Sequence, residues 1–511
     1  MSKLSITGFI LAGIEAIVSL IVIYLALSTK MVPQVPGILG SLLLVLIPFL
    51  VFLLAKKKSK KPQIAAIVIS GLMCVMMGVA TYYLYVTTKA INKVTGESVE
   101  VDEINVYVSK DDPVTSINEA VDNGYVFGII NNDDTSHVDE TIQKIESDLG
   151  VTISTQEYES IFGLIGAFEG GTIQSFITNT GSLLALDSTE EYVDYTKNLK
   201  VIMENKITEK LEEVKVEETD KDRFCAYFSG IDTFGSVTAR SRSDVNIIGV
   251  INNQTKQVLL LSTPRDYYVE IAGTNGKKDK LTHAGIYGIE SSMGTLENLY
   301  DTDISYYVRI NFSGFQSIID TLGGVDVYSD QSFTSITEEG TYSYEEGINH
   351  LNGEEALGFA RCRYAFIDGD RQRGRNQMQV IKATIEKLES AETLKKYSSL
   401  MDDMSDSFQT DMAKDEVGYL VQSTLDNGNW TVLTYSVGGS DSEQVCYSLG
   451  TEAYVMLQNE GDIAYGKELI DRVLSGEIVT QDEINQYIET KDSEDMITEQ
   501  VPEEDSEDSA E

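Results

Sequence analysis

A mixed α/β protein carried on three membrane helices is what this sequence predicts. Three long apolar runs open the chain, and short apolar runs then alternate with helix-like stretches from about Glu103 onward. Polar turns and glycines fall between these runs at hairpin and helix-end positions. At 511 residues and 42% hydrophobic, the chain is long enough for two or three folded units with cores of their own.

The apolar runs cover about Ile6 to Leu27, Gly37 to Ala55 and Ile64 to Val86. Each approaches the roughly 20 residues that cross about 30 Å of hydrocarbon as a helix. The first is too long for the roughly 7–15-residue apolar core of a cleaved signal peptide, so three retained helices are expected. Between the second and third runs lies KKKSKK, Lys56 to Lys61, which marks a cytoplasmic loop. By alternation Met1 lies in the cytoplasm, the loop around Pro33 and Pro36 outside, and everything after about Thr88 outside the cell. Glu15, within the first run, is expected to face the bundle interior as a hydrogen-bond partner.

Beyond the membrane, INVYVS and YVFGII read as strands and VDETIQKIESDLG as a helix, which makes a small α/β unit. ITEKLEEVKVEETDKD then reads as a connector, with a boundary near Lys221. A hairpin follows: DVNIIGVI, a turn at NNQTKQ, and VLLLSTPRDYYVEI, whose second strand delivers Arg265 and Asp266 to a sheet edge. GTLENLY is helical, SYYVRIN a strand, FSGFQSIIDTLGG a helix closed by glycine, and VDVYS another strand. LNGEEALGFARCRY reads as a helix capped by Asn352, and DRQRGRNQMQVIKATIEKLES as a long one. Helices thus cover a sheet. NWTVLTYSV is the last strand-like piece, with Trp430 as a packing residue, and after about Glu483 the chain reads as an acidic tail too polar to fold alone.

The formal net charge is -42, yet ten of the eleven arginines lie between positions 223 and 375. Five of them fall in the nineteen residues FARCRYAFIDGDRQRGRNQ, Phe359 to Gln377. Lysine is scattered, so the bias concerns the guanidinium fork that grips phosphate or carboxylate oxygens. A charge run alone is usually a solvated helix face; the alternative is an anionic-ligand site. The chain has only three histidines and no CxxC spacing, which argues against a zinc site or a histidine-based triad. Three of the four cysteines lie in the exterior part, so at least one is free or paired between chains.

Four spaced motifs share one resemblance. They are Gly230-Ile231-Asp232, Arg242-Ser243-Asp244, Ser262-Thr263-Pro264-Arg265-Asp266, and Ala360-Arg361-Cys362-Arg363 followed by Gly369-Asp370, Arg373 and Gln377. In this order they resemble the LytR-CpsA-Psr family. Three membrane helices and a small exterior unit are similar to its CpsA-type members, whose extra unit is called an accessory domain. The domain map that follows is a membrane region at 1–88, an accessory α/β domain at 100–215, the LytR-CpsA-Psr catalytic domain at 222–390, its continuation at 391–478, and a disordered acidic tail at 483–511.

The resemblance implies a multi-pass enzyme of a Gram-positive cell membrane. It would move a glycopolymer, such as teichoic acid, capsule or another wall polysaccharide, from a polyprenyl-pyrophosphate carrier to peptidoglycan through a phosphodiester. Breaking a pyrophosphate loads negative charge onto the departing lipid phosphate, which fixed arginines and a metal would stabilise. Arg265, Arg361, Arg363 and Arg373 are the expected clamp. Asp232 and Asp244 match the family's ligands for magnesium, or manganese in its place. Asp370 is expected to orient Arg373 or accept the proton of the attacking hydroxyl, and Gln377, one turn beyond Arg373, to position the substrate. Cys362 is expected to face away from the ligand, and Arg240, Arg371 and Arg375 to be surface or ion-pair residues. Apolar strands that could line a lipid tunnel serve an ordinary core equally well. Two other readings share these residues, a pyrophosphate hydrolase and a non-catalytic lipid-binding regulator of the envelope. Nucleic acid is not expected as a partner, because the arginines lie on the far side of the membrane from it.

Overall fold

The computed structural model describes residues 2–29, 34–95, 99–131, 136–189, 192–211, 220–231, 236–337, 340–366, 369–388, 397–427 and 430–499. The three apolar runs form helices α1 (Lys3–Thr29), α2 (Gln34–Lys56) and α3 (Lys60–Val94). Each is long and apolar enough to cross a membrane, and together they make a membrane anchor. Large apolar side chains such as Leu20, Leu42 and Leu72 point outward, while Ala12, Ala55 and Ala66 are buried between the helices. A side chain at Gly8 would stand 2.7 Å from the Ala55 Cβ, so the missing Cβ lets α1 and α2 touch. Glu15 is buried, as expected, and accepts a hydrogen bond from Ser70 Oγ at 2.9 Å. With 35 residues, α3 is about 50 Å long at ~1.5 Å per residue and outruns the hydrocarbon. Its far end meets the rest of the chain, where Lys414 Nζ donates to Asn92 Oδ1 at 3.0 Å.

The first unit beyond the apolar helices is a five-stranded sheet ordered β3-β2-β4-β1-β5, with β1 at Val99–Ser109, β2 at Val126–Ile130, β3 at Ser154–Tyr158, β4 at Ser175–Asn179 and β5 at Leu199–Lys210. The antiparallel β1/β5 ladder runs from the Val99–Lys210 pair to the Ser109–Leu199 pair. ITEK, expected to open a connector, is therefore the end of β5; its isoleucine and alternating polar residues continue the strand pattern.

The second unit is built on a six-stranded sheet whose middle strands are β6 (Arg223–Ile231), β7 (Ser243–Asn252) and β8 (Gln257–Ser262), all antiparallel. Tyr306–Asn311 runs parallel to β6, and Thr431–Ser436 parallel to β8. Both faces are covered, which explains why these strands read as nearly continuous apolar runs. Ile248, Val250, Leu259 and Leu261 pack against Leu296, Leu469 and Ile470 on one side. Ile247 and Leu260 meet Met378 and Ile381 of the helix Asp370–Leu388 on the other. Trp430 packs on this sheet, as expected, with Lys256 Nζ 4.6 Å from its ring centre.

Three expectations change. Val325–Ser329 pairs with Gly347–Leu351 in a separate two-stranded sheet. Thr431–Ser436 is followed by a hairpin, Gly439–Cys446 with Thr451–Gln458. The tail expected from Glu483 begins as the helix Gln481–Glu499, because Ile484, Tyr487 and Ile488 share one face: Ile484 is fully buried and Tyr487 stacks on Tyr465 at 3.7 Å. The rest of the tail lies outside the described residues. All four cysteines are free thiols.

A buried ion network joins the two sheet-bearing units. Glu100 of β1 accepts from Arg309 Nη2 at 2.6 Å, from the Ile289 backbone N–H at 3.2 Å and from Arg240 Nε at 3.1 Å. Arg240 also donates to Glu209 Oε2 at 2.6 Å and lies 3.5 Å from Asp102. His137 bridges Asp102 at 2.7 Å and Glu209 at 2.9 Å. At Gly288, φ is +108° and a Cβ would lie 2.6 Å from the Glu100 carboxylate, so glycine is required there. The Val101 N–H donates to the Thr238 carbonyl at 2.8 Å, and the Arg240 N–H returns to the Val101 carbonyl at 2.9 Å. Apolar packing continues the contact: Ile286, Cys446, Leu449 and Val455 of the second unit share one core with Tyr107, Phe176 and Leu183 of the first.

Glu100→Ala leaves two buried guanidinium groups without their shared carboxylate. It is expected to cost about 3–5 kcal/mol in chemical denaturation of the detergent-solubilised chain. The Asp102 hydrogen bond raises the His137 pKa to about 9 against the opposing effect of burial, with Glu209 adding to the rise. A raised folded-state value stabilises fully below about 6.5 and loses that contribution as pH rises through about 9. The thermal midpoint should fall across that window, and His137→Gln should flatten the fall.

Candidate active site

The motif residues meet where β7 begins and β8 ends, at the same end of the sheet. Arg242 and Asp244 flank Ser243, the first residue of β7, whose hydroxyl is held by Tyr227 at 2.9 Å and by Ser229 at 2.8 Å. Gly285 lets a neighbouring turn sit against this segment, since a Cβ there would lie 2.4 Å from the Ser241 carbonyl. Past the end of β8, a turn closed by the Tyr267 N–H on the Pro264 carbonyl at 3.2 Å presents Arg265. Its Nη1 meets Asp244 Oδ1 at 2.7 Å.

Two helices supply the opposite wall. The helix Gly353–Arg361 starts at Asn352, where a capping box with Glu355 satisfies both ends of the first turn. It stops at Arg361, so Cys362 and Arg363 continue as non-helical chain. The helix Asp370–Leu388 places Arg373 and Gln377 one turn apart on its buried side.

Between these walls lies a cavity of about 1030 Å³. Its inner end carries Arg242, Asp244, Arg265, Arg373 and Gln377, and its sides carry Ile310, Phe312, Phe315, Leu357 and Ile381. The Arg361 guanidinium lies 4.4 Å from the centre of the Phe312 ring, at the join between the charged and apolar surfaces. Arg363 also lines the cavity and stacks over Tyr364 at 4.5 Å. Five guanidinium groups thus face one space with two lining carboxylates, Asp244 within and Asp194 at the mouth.

Burial by itself would raise the Asp244 carboxyl. The guanidinium groups of Arg265, Arg242 and Arg373 outweigh it and hold the group well below the usual carboxylate range. Asp266 behaves alike: burial raises it, and Arg265, Lys280, Arg373 and Arg363 lower it further. Asp266 braces the clamp from behind, 3.6 Å from Arg265 Nε, 3.4 Å from Lys280 Nζ and 3.9 Å from Arg363 Nη1.

Arg265, Arg361, Arg363, Arg373, Gln377 and Asp244 therefore all line one cavity. Asp232 and the side chain of Asp370 lie outside the described residues. Arg240 is an ion-pair residue, half-buried between the two units. Arg375 donates to Gln372 of its own helix at 2.9 Å, and neither it nor Arg371 is among the lining residues. Cys362 is buried with its thiol toward the Thr334 carbonyl at 4.0 Å, although part of the residue borders the cavity. Arg242 was missed as a ligand-facing residue, despite standing in the Arg-Ser-Asp motif. The apolar wall was also missed, because alternation does not separate a lining residue from a core residue.

Among the described residues, no three His, Cys, Asp or Glu side chains gather as a metal cluster. Of the expected cation ligands the described residues supply one carboxylate, Asp244, which is already paired with Arg265 at 2.7 Å.

A sequence model described as the LytR_cpsA_psr family matches residues 189–462. The chain is 34% identical over 236 residues to the polyisoprenyl-teichoic acid–peptidoglycan teichoic acid transferase TagU of Enterococcus faecalis, covering 46% of this chain and 71% of that one. It is 34% identical over 214 residues to the transferase of the same description, TagT, of Bacillus subtilis, covering 40% and 65%. Among solved structures it matches TagV of Bacillus subtilis at 28% identity and a TM-score of 0.43, over 50% of this chain and 99% of that one.

A charged inner end and an apolar side suit a ligand with an anionic head and a hydrocarbon body. Inorganic pyrophosphate should bind as a minimal probe, more weakly as salt is raised. Arg373→Ala is expected to reduce that affinity about tenfold or more, as titration calorimetry would read. An unchanged affinity would remove Arg373 from the anion site.

Proposed function

The chain belongs to the LytR-CpsA-Psr family, and from that premise we propose that it is a membrane-anchored phosphotransferase. It moves a glycopolymer from a polyprenyl-pyrophosphate carrier to peptidoglycan. The observation that carries this reading is a single cavity in which a guanidinium cluster adjoins an apolar wall. The teichoic acid transferases among its relatives support a wall polymer as the cargo.

In the reaction, an acceptor hydroxyl of peptidoglycan attacks the phosphorus nearer the sugar. The new O–P bond forms as the bridging P–O bond breaks, and polyprenyl phosphate departs with the electron pair. Arg265, Arg361, Arg363 and Arg373 bind the pyrophosphate and neutralise charge as it moves onto the leaving phosphate. Arg242, at the inner end, joins them. Gln377 orients a phosphate oxygen from the same helix face as Arg373. Phe312, Phe315 and Leu357 take the first isoprene units and keep water from the clamp.

Asp244 binds protons too weakly to serve as the base. Its retained charge suits it instead to hold magnesium or manganese, with Asp232 as the partner suggested by the sequence. Such a cation, when bound, would supply further charge neutralisation to the phosphate oxygens. Asp370, at the start of the Arg373 helix, is assigned to orient Arg373 or receive the hydroxyl proton. The lysine loop after α2 supports a cytoplasmic N-terminus and an extracellular active site.

Purified full-length protein, a lipid-pyrophosphate-linked oligosaccharide, peptidoglycan fragments and magnesium should yield a sugar–peptidoglycan phosphodiester detectable by mass spectrometry. Arg265→Ala is expected to reduce its formation about 10³-fold or more with the fold intact, and Asp244→Ala to abolish the magnesium dependence. Free sugar phosphate as the sole product would indicate hydrolysis, and tight lipid binding with no bond broken would indicate a regulator.

A further inference from the structure

The cavity has one wall that the catalytic unit does not supply. Val193 and Asp194 stand in the turn before β5 of the first unit's sheet, inside the 189–462 stretch that the family model matches, yet they line the same space as the arginines of the second unit. This turn is firmly held. Asp194 adopts a left-handed conformation with φ 60°, its carbonyl accepts from the Lys197 N–H at 2.9 Å, and its carboxylate pairs with Lys197 Nζ at 2.8 Å. The adjacent Tyr195 is buried and packs edge-on to Tyr192 at 5.4 Å, which in turn meets Phe162 at 5.1 Å. The shared core and the Glu100 network then fix the accessory unit to the catalytic unit.

The chemistry of this mouth differs from that of the inner end. Val193, Ile336 and Tyr364 all line the cavity and are 58%, 82% and 88% exposed. Tyr364 carries the Arg363 guanidinium over its ring at 4.5 Å, which leaves the opposite ring face to a ligand. A carboxylate accepts hydrogen bonds from hydroxyls and repels phosphate; an exposed aromatic face takes the C–H face of a flat, amphipathic ring. Together these suit a sugar and not a phosphate. One cavity thus presents an apolar wall, a guanidinium cluster and a hydroxyl-accepting mouth, three surfaces that suit isoprenoid, pyrophosphate and saccharide.

We propose that the accessory unit completes the active site by contributing Val193 and Asp194 to a saccharide subsite at the cavity mouth, with Tyr364 as the facing platform. The subsite rests on the phosphotransferase reading for the order of the ligand, and it gives the accessory unit a role in selecting the sugar. Its occupant is a sugar ring with free hydroxyls, either the first residue of the donor or the acceptor residue of peptidoglycan.

The test uses the full chain in detergent micelles and three probes in calorimetry: a sugar-free polyprenyl pyrophosphate, the same lipid pyrophosphate bearing a disaccharide, and a soluble peptidoglycan fragment. Asp194→Gly removes the carboxylate while keeping a residue that accepts φ 60°. Tyr364 is left in place because the Arg363 guanidinium stacks on it, and the thermal midpoint checks the fold. Affinity for a saccharide-bearing probe is expected to fall about tenfold, with sugar-free lipid held within about twofold. A fall with the lipid-linked disaccharide assigns the donor sugar; a fall with the fragment assigns the acceptor. Unchanged affinity for both, or a parallel fall with sugar-free lipid, overturns the subsite. Wild-type protein that ignores sugar-free lipid pyrophosphate would sink the phosphotransferase reading instead, while the saccharide arms still decide the subsite.

Discussion

Glu100 is one carboxylate shared by two arginines from different parts of the chain, and the alignment of the two sheet-bearing units depends on it. Arg309 comes from the strand beside β6, and Arg240 from the segment leading into β7. A buried guanidinium is tolerable only with a partner, so β1 must dock where it does for the catalytic sheet to close over Arg309. The same docking fixes Arg240, two residues ahead of Arg242 and four ahead of Asp244. Through that short segment, the placement of the accessory sheet sets the inner end of the cavity.

The arrangement explains how so acidic a chain builds a site for an anion. Acidic residues elsewhere keep the exterior negative, while the arginines are gathered on a few turns and helix ends and braced by Asp244 and Asp266. These carboxylates hold the forks in place without cancelling them, because five guanidinium groups line the cavity. Lysine would not substitute well, since Arg265 meets a carboxylate with its planar fork while Arg361 and Arg363 stack on Phe312 and Tyr364.

The membrane anchor is continuous with the apolar wall. The helix Tyr397–Ser407 packs along α3, and its Leu400 joins Ile318 and Leu322 of the helix Phe312–Leu322. Phe312 and Phe315 on that helix line the cavity. A lipid-linked donor lies in the bilayer, so a site braced against the membrane helix meets it at high effective concentration.

Much of this was legible in the residue order. Twenty-residue apolar runs are long enough for membrane helices, the hairpin around NNQTKQ follows from turn chemistry, and the Asn352 cap from its local hydrogen bonds. The gathering of arginines was legible too, because guanidinium enrichment against so acidic a background is a compositional signal. Sequence averages misled at Gln481–Glu499, where three apolar residues on one face were diluted by acidic neighbours. Tertiary structure alone decided that Glu100 serves Arg309, more than two hundred residues away, and that Val193 and Asp194 stand at the mouth of a cavity built from another unit. Local physics acts over a few residues and leaves its mark in spacing. Contacts between distant segments are set by the packing of whole sheets, and no local pattern records them.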